Sequence, residues 1–364
     1  MFSQRSKAIW ISENWDSLCS FWNNASINKI SRKTSPSQAC LSRFLSSSDE
    51  ESLNEIVCKM QREKFNINWI LYQNFVQEGL LSMKFRNTIR DKRKLSHISR
   101  RELPHFSLDG KARKGVISSL TGRTEIDLTL YCSDTHQILA KETLPDKIGE
   151  SVAAEKMIRD NSPKLPVGVY TADAGITSPR VTRALKECGQ HYILAIKGNS
   201  GHIYNKIKNF NWSSISTTYV QLGEGHGRKE IRKLKKLSIV QLGTDDFKKY
   251  SGVHVVYCLE TNIYHSKDDK VTIETRYFIG DEKVYKMTLP QVANYIRCHW
   301  MQESYHWVKD VVLQEDNSHQ KNSNGSRILS ILKTQVYTIG IKLFGSVKRF
   351  TDTFISNPKK FIGN

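Results

Sequence analysis

The sequence predicts an α/β protein: a mixed sheet with helices on its faces, interrupted by a β-rich insertion, with helical segments at both ends. Three observations lead there. Residues 104–196 read as three short strands, then helix, strand, helix, strand, an order that folds as a sheet with helices packed on it. Residues 203–285 hold four β-favouring runs. Residues 1–95 and the stretch from Pro290 repeat their apolar side chains at spacings of three and four.

The elements follow in order. Ser37 can cap a helix through Leu45, and Ser46 to Glu51 looks like a turn and an acidic first turn leading to Leu53, Ile56, Val57 and Met60. Trp69 to Leu81 suggests a further helix, so residues 1–95 form a helical segment that either binds DNA or serves as a packing module. Lys84, Arg86, Arg90, Lys92, Arg93, Lys94, Arg100 and Arg101 make a basic connector. A strand from Phe106 is expected to end at Asp109-Gly110, because Asp-Gly is a turn signal. Strands at Glu125–Tyr131 and Gln137–Thr143, a helix at Ser151–Arg159 and a buried strand at Val167–Ala172 follow. Ser178 can cap a helix with Pro179 at its first position and Gly189 past its end. His191–Ile196 is a last apolar strand, closed by Lys197-Gly-Asn199.

The insertion strands are expected at 217–222, 230–240, 253–259 and 272–279. Val292, Tyr295, Ile296, His299, Trp300, Glu303, His306, Trp307 and Asp310 then keep helical spacing, and a second apolar helix runs from Ile328 to Leu343. Five segments result: 1–95, 96–202 and 286–345 as the two parts of one catalytic domain, 203–285 as the insertion, and 346–364 as a basic tail.

Bulk properties narrow the function. The 364 residues carry a formal net charge of +19, which calls for an anionic partner, nucleic acid first. No apolar run approaches the ~20 residues of a membrane span, and no secretory signal is visible. Seven cysteines include no Cys-x-x-Cys pair, which argues against a zinc ribbon or a disulfide framework and for reduced thiols in a cytoplasmic protein.

Three acidic residues stand in distinctive settings: Asp109 and Asp173 at the ends of β-rich runs, and Glu303 within a helical pattern. Two strand-borne aspartates and a helix-borne glutamate can make an oxygen-rich cage for divalent metal. Glu315 and Asp316 are rivals for the third position. Lys111, Lys197 and Asn199 lie beside these acids. His226, Arg228, Lys229, Arg232, Lys233, Lys235 and Lys236 form a dense positive strip suited to phosphate contact or to a solvated strand face. Trp300 and Trp307 are expected in the core.

Leu108-Asp-Gly-Lys111, Thr171-Ala-Asp-Ala174, Tyr192 to Asn199, Gly223 to Arg228 and His299 to Val311 resemble, in the same order, the catalytic segments of DDE insertion-sequence transposases, the H-repeat-associated subgroup above all. The resemblance covers roughly residues 100 to 340. It implies a ribonuclease-H-like core and a β insertion between the second Asp and the Glu. It also implies a nucleoid-associated enzyme that holds two Mg²⁺ or Mn²⁺ ions on Asp109, Asp173 and Glu303. Such an enzyme cuts double-stranded DNA at transposon ends and joins the freed 3′-hydroxyl to target DNA, as a homodimer or larger assembly. The chain departs from broader relatives at His299 and Asp310, where Arg and Lys are common, and at Ser304 and Ser200. A metal-dependent nuclease without strand transfer and an inactive DNA-binding remnant remain alternative readings.

Overall fold

A central four-residue strand, Val169–Ala172, is buried along its whole length, because neighbours on both edges and helices on both faces leave it no solvent side. It belongs to the sheet that organises the protein. The computed structural model describes residues 37–77, 103–225, 228–265, 270–317 and 323–356. The strands are β1 (His105–Ile117), β2 (Thr124–Cys132), β3 (Gln137–Leu144), β4 (Val169–Ala172), β5 (His191–Ile196), β6 (Thr218–Gly225), β7 (Arg228–Ser238), β8 (Val253–His265) and β9 (Lys270–Asp281). The helices are α1 (Gln38–Ser47), α2 (Glu50–Gln77), α3 (Glu150–Asn161), α4 (Pro179–Glu187), α5 (His202–Lys208), α6 (Glu282–Lys286), α7 (Leu289–Trp307), α8 (Ser323–Phe344) and α9 (Val347–Ser356).

The nine strands form one sheet in the order β3-β2-β1-β4-β5-β9-β8-β7-β6. β1, β4 and β5 are parallel neighbours, with Leu108 opposite Ala172 and Ala172 opposite Leu194. The first five strands form the mixed sheet expected of 104–196, with β1, β4 and β5 parallel at its centre. The insertion strands lie where the β-favouring runs are, and they do not form a separate sheet. β9 pairs antiparallel with β5, Ile193 opposite Gly280, and a meander carries the same sheet outward through β8, β7 and β6.

The described residues fall into two compact units. The larger takes in the described residues of 60–77, 103–111 and 127–303. On one face of its sheet, Val169, Ile193, Val255, Tyr257 and Phe278 pack with Val292, Tyr295 and Ile296 of α7. On the opposite face Phe106 meets Phe65 and Tyr170, and the Tyr170 hydroxyl bonds Ser162 at the end of α3. Alternation along a strand sends 105, 107 and 109, and likewise 169, 171 and 173, to the α7 side.

Among the described residues, the smaller unit takes in those of 37–59, 112–126 and 304–356. Ser37 caps α1 by accepting a hydrogen bond from the Cys40 amide, as the sequence predicts. Asn324 of α8 donates to the carbonyls of Ser46 and Ser48. Glu125 is clamped between Arg113 at 2.9 Å and Arg327 at 2.7 Å, and Lys309 bridges Glu315 and Ser330, both at 2.8 Å.

Several expectations are corrected. Asp109-Gly110 does not end a strand: β1 continues to Ile117, so Asp109 sits inside it. The two helices expected on either side of residue 65 are one helix, α2, in which no Gly or Pro interrupts the pattern. The helical pattern through Asp310 ends at Trp307 and widens into a π turn, Val308–Val312. Within the expected tail, α9 is an ordered helix. The connector at 84–101, His226 and the segment before Ser37 lie outside the described residues. The six described cysteines are free thiols. No described helix is long and apolar enough to cross a membrane.

Candidate active site

Parallel pairing of β1 with β4 puts Leu108 beside Ala172, and one residue further Asp109 and Asp173 come out on the same side of adjacent strands. The sequence brings them there with two apolar strands of matched register. Beyond β4 the chain turns at once: the Ile176 and Thr177 amides and the Thr177 hydroxyl all donate to the Asp173 carbonyl at 3.0–3.1 Å. That turn fixes the Asp173 backbone and leaves its carboxylate 58% exposed.

Across from it, α7 presents His299 and Glu303, one turn apart on one helical face. Both line a cavity of about 80 Å³ that also holds Asp173, Lys197, Trp300 and Tyr204. His299 Nε2 stands 3.7 Å from Asp173 Oδ1, longer than a hydrogen bond. Lys197 and Asn199 follow β5, and Asn199 ties that loop to the Asp173 turn by donating to the Ala174 carbonyl at 2.6 Å. Among the described residues no three His, Cys, Asp or Glu side chains are close enough to share one ion. The carboxylates therefore do not close a cage by themselves.

The two aspartates differ in acidity. Burial pushes Asp109 up to about 7, with the negative charges of Asp173 and Glu150 adding to it and His299 opposing. Asp173 is held below the usual carboxylate range by the His299 imidazole, against its own burial, with Lys197 and Lys147 assisting. Two like charges side by side, one hard to ionise, form a place where a cation lowers the energy. The donor chemistry fits hard divalent ions. Mg²⁺ is ordinarily held by one or two carboxylates plus substrate phosphates, so an incomplete protein cage is what such a site needs.

Sequence reasoning missed three neighbours. Glu150, at the start of α3, is buried beside Gly175 and pushed upward by burial and by Asp173, against Lys147. His105 and Thr171 lie behind the aspartates on the α7 side, joined by a 2.8 Å hydrogen bond. Nothing in the residue pattern distinguishes Glu150 or His105 from ordinary cap and strand residues. Among the rival acids, Glu315 is committed to Lys309.

The basic residues sort differently from their sequence order. Lys111 is buried, with 6% of its surface exposed, so it is not a surface contact. The strip on β7 is two-faced because side chains alternate. Arg228 and Arg232 turn into a cleft of about 110 Å³ with Arg276, Arg297 and Trp300, and both reach Glu230. Burial lowers Arg232 to about 10, with Arg297 and Arg228 adding to the effect. Lys229 and Lys233 point the other way, toward Glu224 at 3.9 Å and Glu260 at 3.4 Å. Lys235 and Lys236 donate to the Trp212 and Tyr285 carbonyls. Arg276 and Arg297 both lie over the Trp300 ring, their guanidinium carbons 4.9 and 5.3 Å from its centroid. Trp307, expected in the core, is 58% exposed.

The fold is a mixed α/β sheet flanked by helices, with Asp109 and Asp173 emerging from its centre and Glu303 on the helix beside them. The model of the transposase DDE domain family matches residues 128–339, more than half of the chain, and the protein belongs to that family. Two curated relatives come from Escherichia coli. "Putative transposase YncI" of strain O157:H7 is 27% identical over 63% of this chain and 59% of that protein. "H repeat-associated putative transposase YhhI" of strain K12 is 23% identical over 62% and 61%. The chain thus spans about three fifths of the length of the curated relatives it matches. A solved structure, the cryo-EM piggyBac transposase synaptic complex with hairpin DNA, aligns with a TM-score of 0.39 at 11% identity, over 98% of this chain and 80% of that one.

Proposed function

We propose that this protein is a DNA transposase that cleaves phosphodiesters at the ends of its element and joins the freed 3′-hydroxyl to target DNA. The observation that carries the reading is the emergence of Asp109 and Asp173 side by side from adjacent parallel strands, facing the helix that bears Glu303. When bound, divalent ions would supply charge neutralisation at the attacking and leaving oxygens.

The chain's own residues then have separable tasks. Asp109 and Asp173 would hold the divalent ions, and Glu303 would contribute a carboxylate from α7. Lys197, exposed and next to Asp173, neutralises the phosphate that approaches the cavity. Asn199 keeps the Lys197 loop against the Asp173 turn. Arg228 and Arg232 extend the positive surface along the cleft under β7, and Lys229 and Lys233 supply charge on its other face. Bringing two DNA ends together requires a dimer or larger assembly on DNA.

The test uses DNA flanking the protein's own gene, incubated with purified protein and Mg²⁺ or Mn²⁺. Cuts at matching inverted ends that yield 3′-hydroxyls and joined products support the transposase. Cuts without joining reduce the reading to a nuclease. Salt-sensitive binding without cuts leaves a DNA-binding remnant, and the departures at His299, Ser304 and Asp310 become the first suspects.

A further inference from the structure

Behind Asp173 runs a chain of side-chain hydrogen bonds that the reaction as described does not use. Ser133 Oγ lies 2.8 Å from His105 Nδ1, and His105 Nε2 lies 2.8 Å from Thr171 Oγ1. Thr171 Oγ1 lies 2.9 Å from His299 Nδ1, and His299 Nε2 faces Asp173 Oδ1 at 3.7 Å. His105, Thr171 and Ser133 are buried. Their placement follows from β1–β4 pairing, which aims 105 and 171 at the same face, and from α7 crossing that face at His299.

The proton count gives this chain a direction. A threonine hydroxyl has one hydrogen to donate, and here it touches two imidazole nitrogens. Asp173 Oδ1 is an acceptor, so His299 Nε2 must carry a hydrogen to interact favourably with it. A neutral His299 then has a bare Nδ1, and Thr171 donates to it. Thr171 in turn accepts from His105 Nε2–H, and Ser133 donates to His105 Nδ1. For a neutral His299 this arrangement satisfies every member, whereas the opposite neutral tautomer would set an unprotonated nitrogen against a carboxylate.

We infer that the Ser133–His105–Thr171–His299 relay is a positioning device: Thr171 fixes the His299 tautomer so that Nε2–H restrains one oxygen of Asp173 and leaves the other free for a cation. The inference rests on the reading of Asp173 as a metal ligand. Geometry shows why restraint is needed. The turn after β4 immobilises the Asp173 backbone, while its side chain is more than half exposed, and a side chain so exposed samples several rotamers unless a neighbour selects one. Ligands ordered before binding hold metal more tightly, and removing such an outer partner typically weakens metal affinity by about ten-fold or more.

The experiment is performed on the full-length chain with ¹⁵N-labelled histidine. Long-range ¹H–¹⁵N spectra report the His299 tautomer, assigned by the signal lost in His299→Gln, and Mn²⁺ titration reports affinity without any turnover. In the wild type the spectra show the Nε2–H form. In Thr171→Val that form is lost or mixed and Mn²⁺ binding weakens by about ten-fold, and Thr171→Ser restores both. An unchanged tautomer and unchanged Mn²⁺ binding in Thr171→Val overturn the relay while the metal reading stands. A wild type that binds no Mn²⁺, with the tautomer still governed by Thr171, overturns the metal reading and supports the relay. Should Thr171→Val not fold, Ser133→Ala removes the far end of the chain without touching the cavity. A smaller shift of the same kind is expected there, and no shift counts against the relay.

Discussion

Asp109 within β1 and Asp173 just past the end of the neighbouring parallel strand β4 stand side by side, yet their acidities are driven apart: burial pushes Asp109 up to about 7, and the His299 imidazole holds Asp173 below the carboxylate range. A pair so divided is poised to take a cation, because the second charge is costly until one arrives.

The division has a consequence for stability. Asp109 has a raised carboxyl in the folded protein, whereas in an unfolded chain it titrates near ~3.9. Between these values the native state keeps a proton that the unfolded state has lost. Stability without metal therefore falls as pH rises from about 4 to 7 and stays lost above that. Asp109→Asn mimics the protonated form. Thermal melts without metal should show the variant more stable than wild type at pH 8 and equal to it at pH 4. A melting difference that does not depend on pH contradicts the assigned shift.

Proton release on metal binding gives a second reading of the same group. Near pH 6 most Asp109 carboxyls carry a proton that a divalent ion must displace, and above pH 8 most do not. Calorimetry in buffers of different ionisation enthalpy should find close to one proton released at the lower pH and almost none at the higher.

In the smaller unit, Glu125 is buried between Arg113 and Arg327. Its burial, which pushes the carboxyl up, is outweighed by hydrogen bonds from Arg327 and Ser323, so it stays below the usual range. That stabilisation is present at neutral pH and disappears as acid protonates the group. Glu125→Ala takes the carboxylate from the buried Arg113 and should cost about 3–5 kcal/mol in denaturant unfolding at pH 7. The gap should narrow in acid.

Gly168 precedes β4 where the chain passes under β1. A Cβ there would lie 2.4 Å from Phe106 Cε2 and 2.8 Å from the Pro104 carbonyl. Backbone cannot yield as a flexible side chain can, so Gly168→Ala should destabilise by about 1–3 kcal/mol. Because Phe106 is three residues before Asp109, the same variant should also weaken Mn²⁺ binding. Unaltered binding would mean that β1 absorbs the clash without moving Asp109.

Lys197 offers a test of the DNA reading. Replacing it with Ala should weaken binding to all duplexes alike and reduce the slope of log affinity against log salt by about one unit. A loss confined to one sequence points instead to base readout.

Much of this architecture was legible in the residues, and the failures have physical causes. Runs such as Val169–Ala172 and His191–Ile196 announce buried strands by composition alone. Asp109-Gly110 misled because a turn signal is local, whereas the pairing of β1 with β4 that carries the strand past it is not. The β7 strip read as one positive surface, since sequence shows density of charge before it shows which face each residue takes. His105 and Thr171 could not be paired from sequence, because the contact depends on strand register and on where α7 crosses. Glu303 stood out only by its helical neighbours, and the cavity it shares with Asp173 is a tertiary fact.

The most direct measurement is metal-dependent cleavage of the protein's own end DNA by Asp109→Asn, Asp173→Asn and Glu303→Gln, with DNA binding and folding checked in parallel. One carboxylate centre predicts that each variant folds and binds DNA yet cuts at background level. A variant that folds, binds and still cuts at the wild-type rate would remove that residue from the centre, and with it the account given of the site.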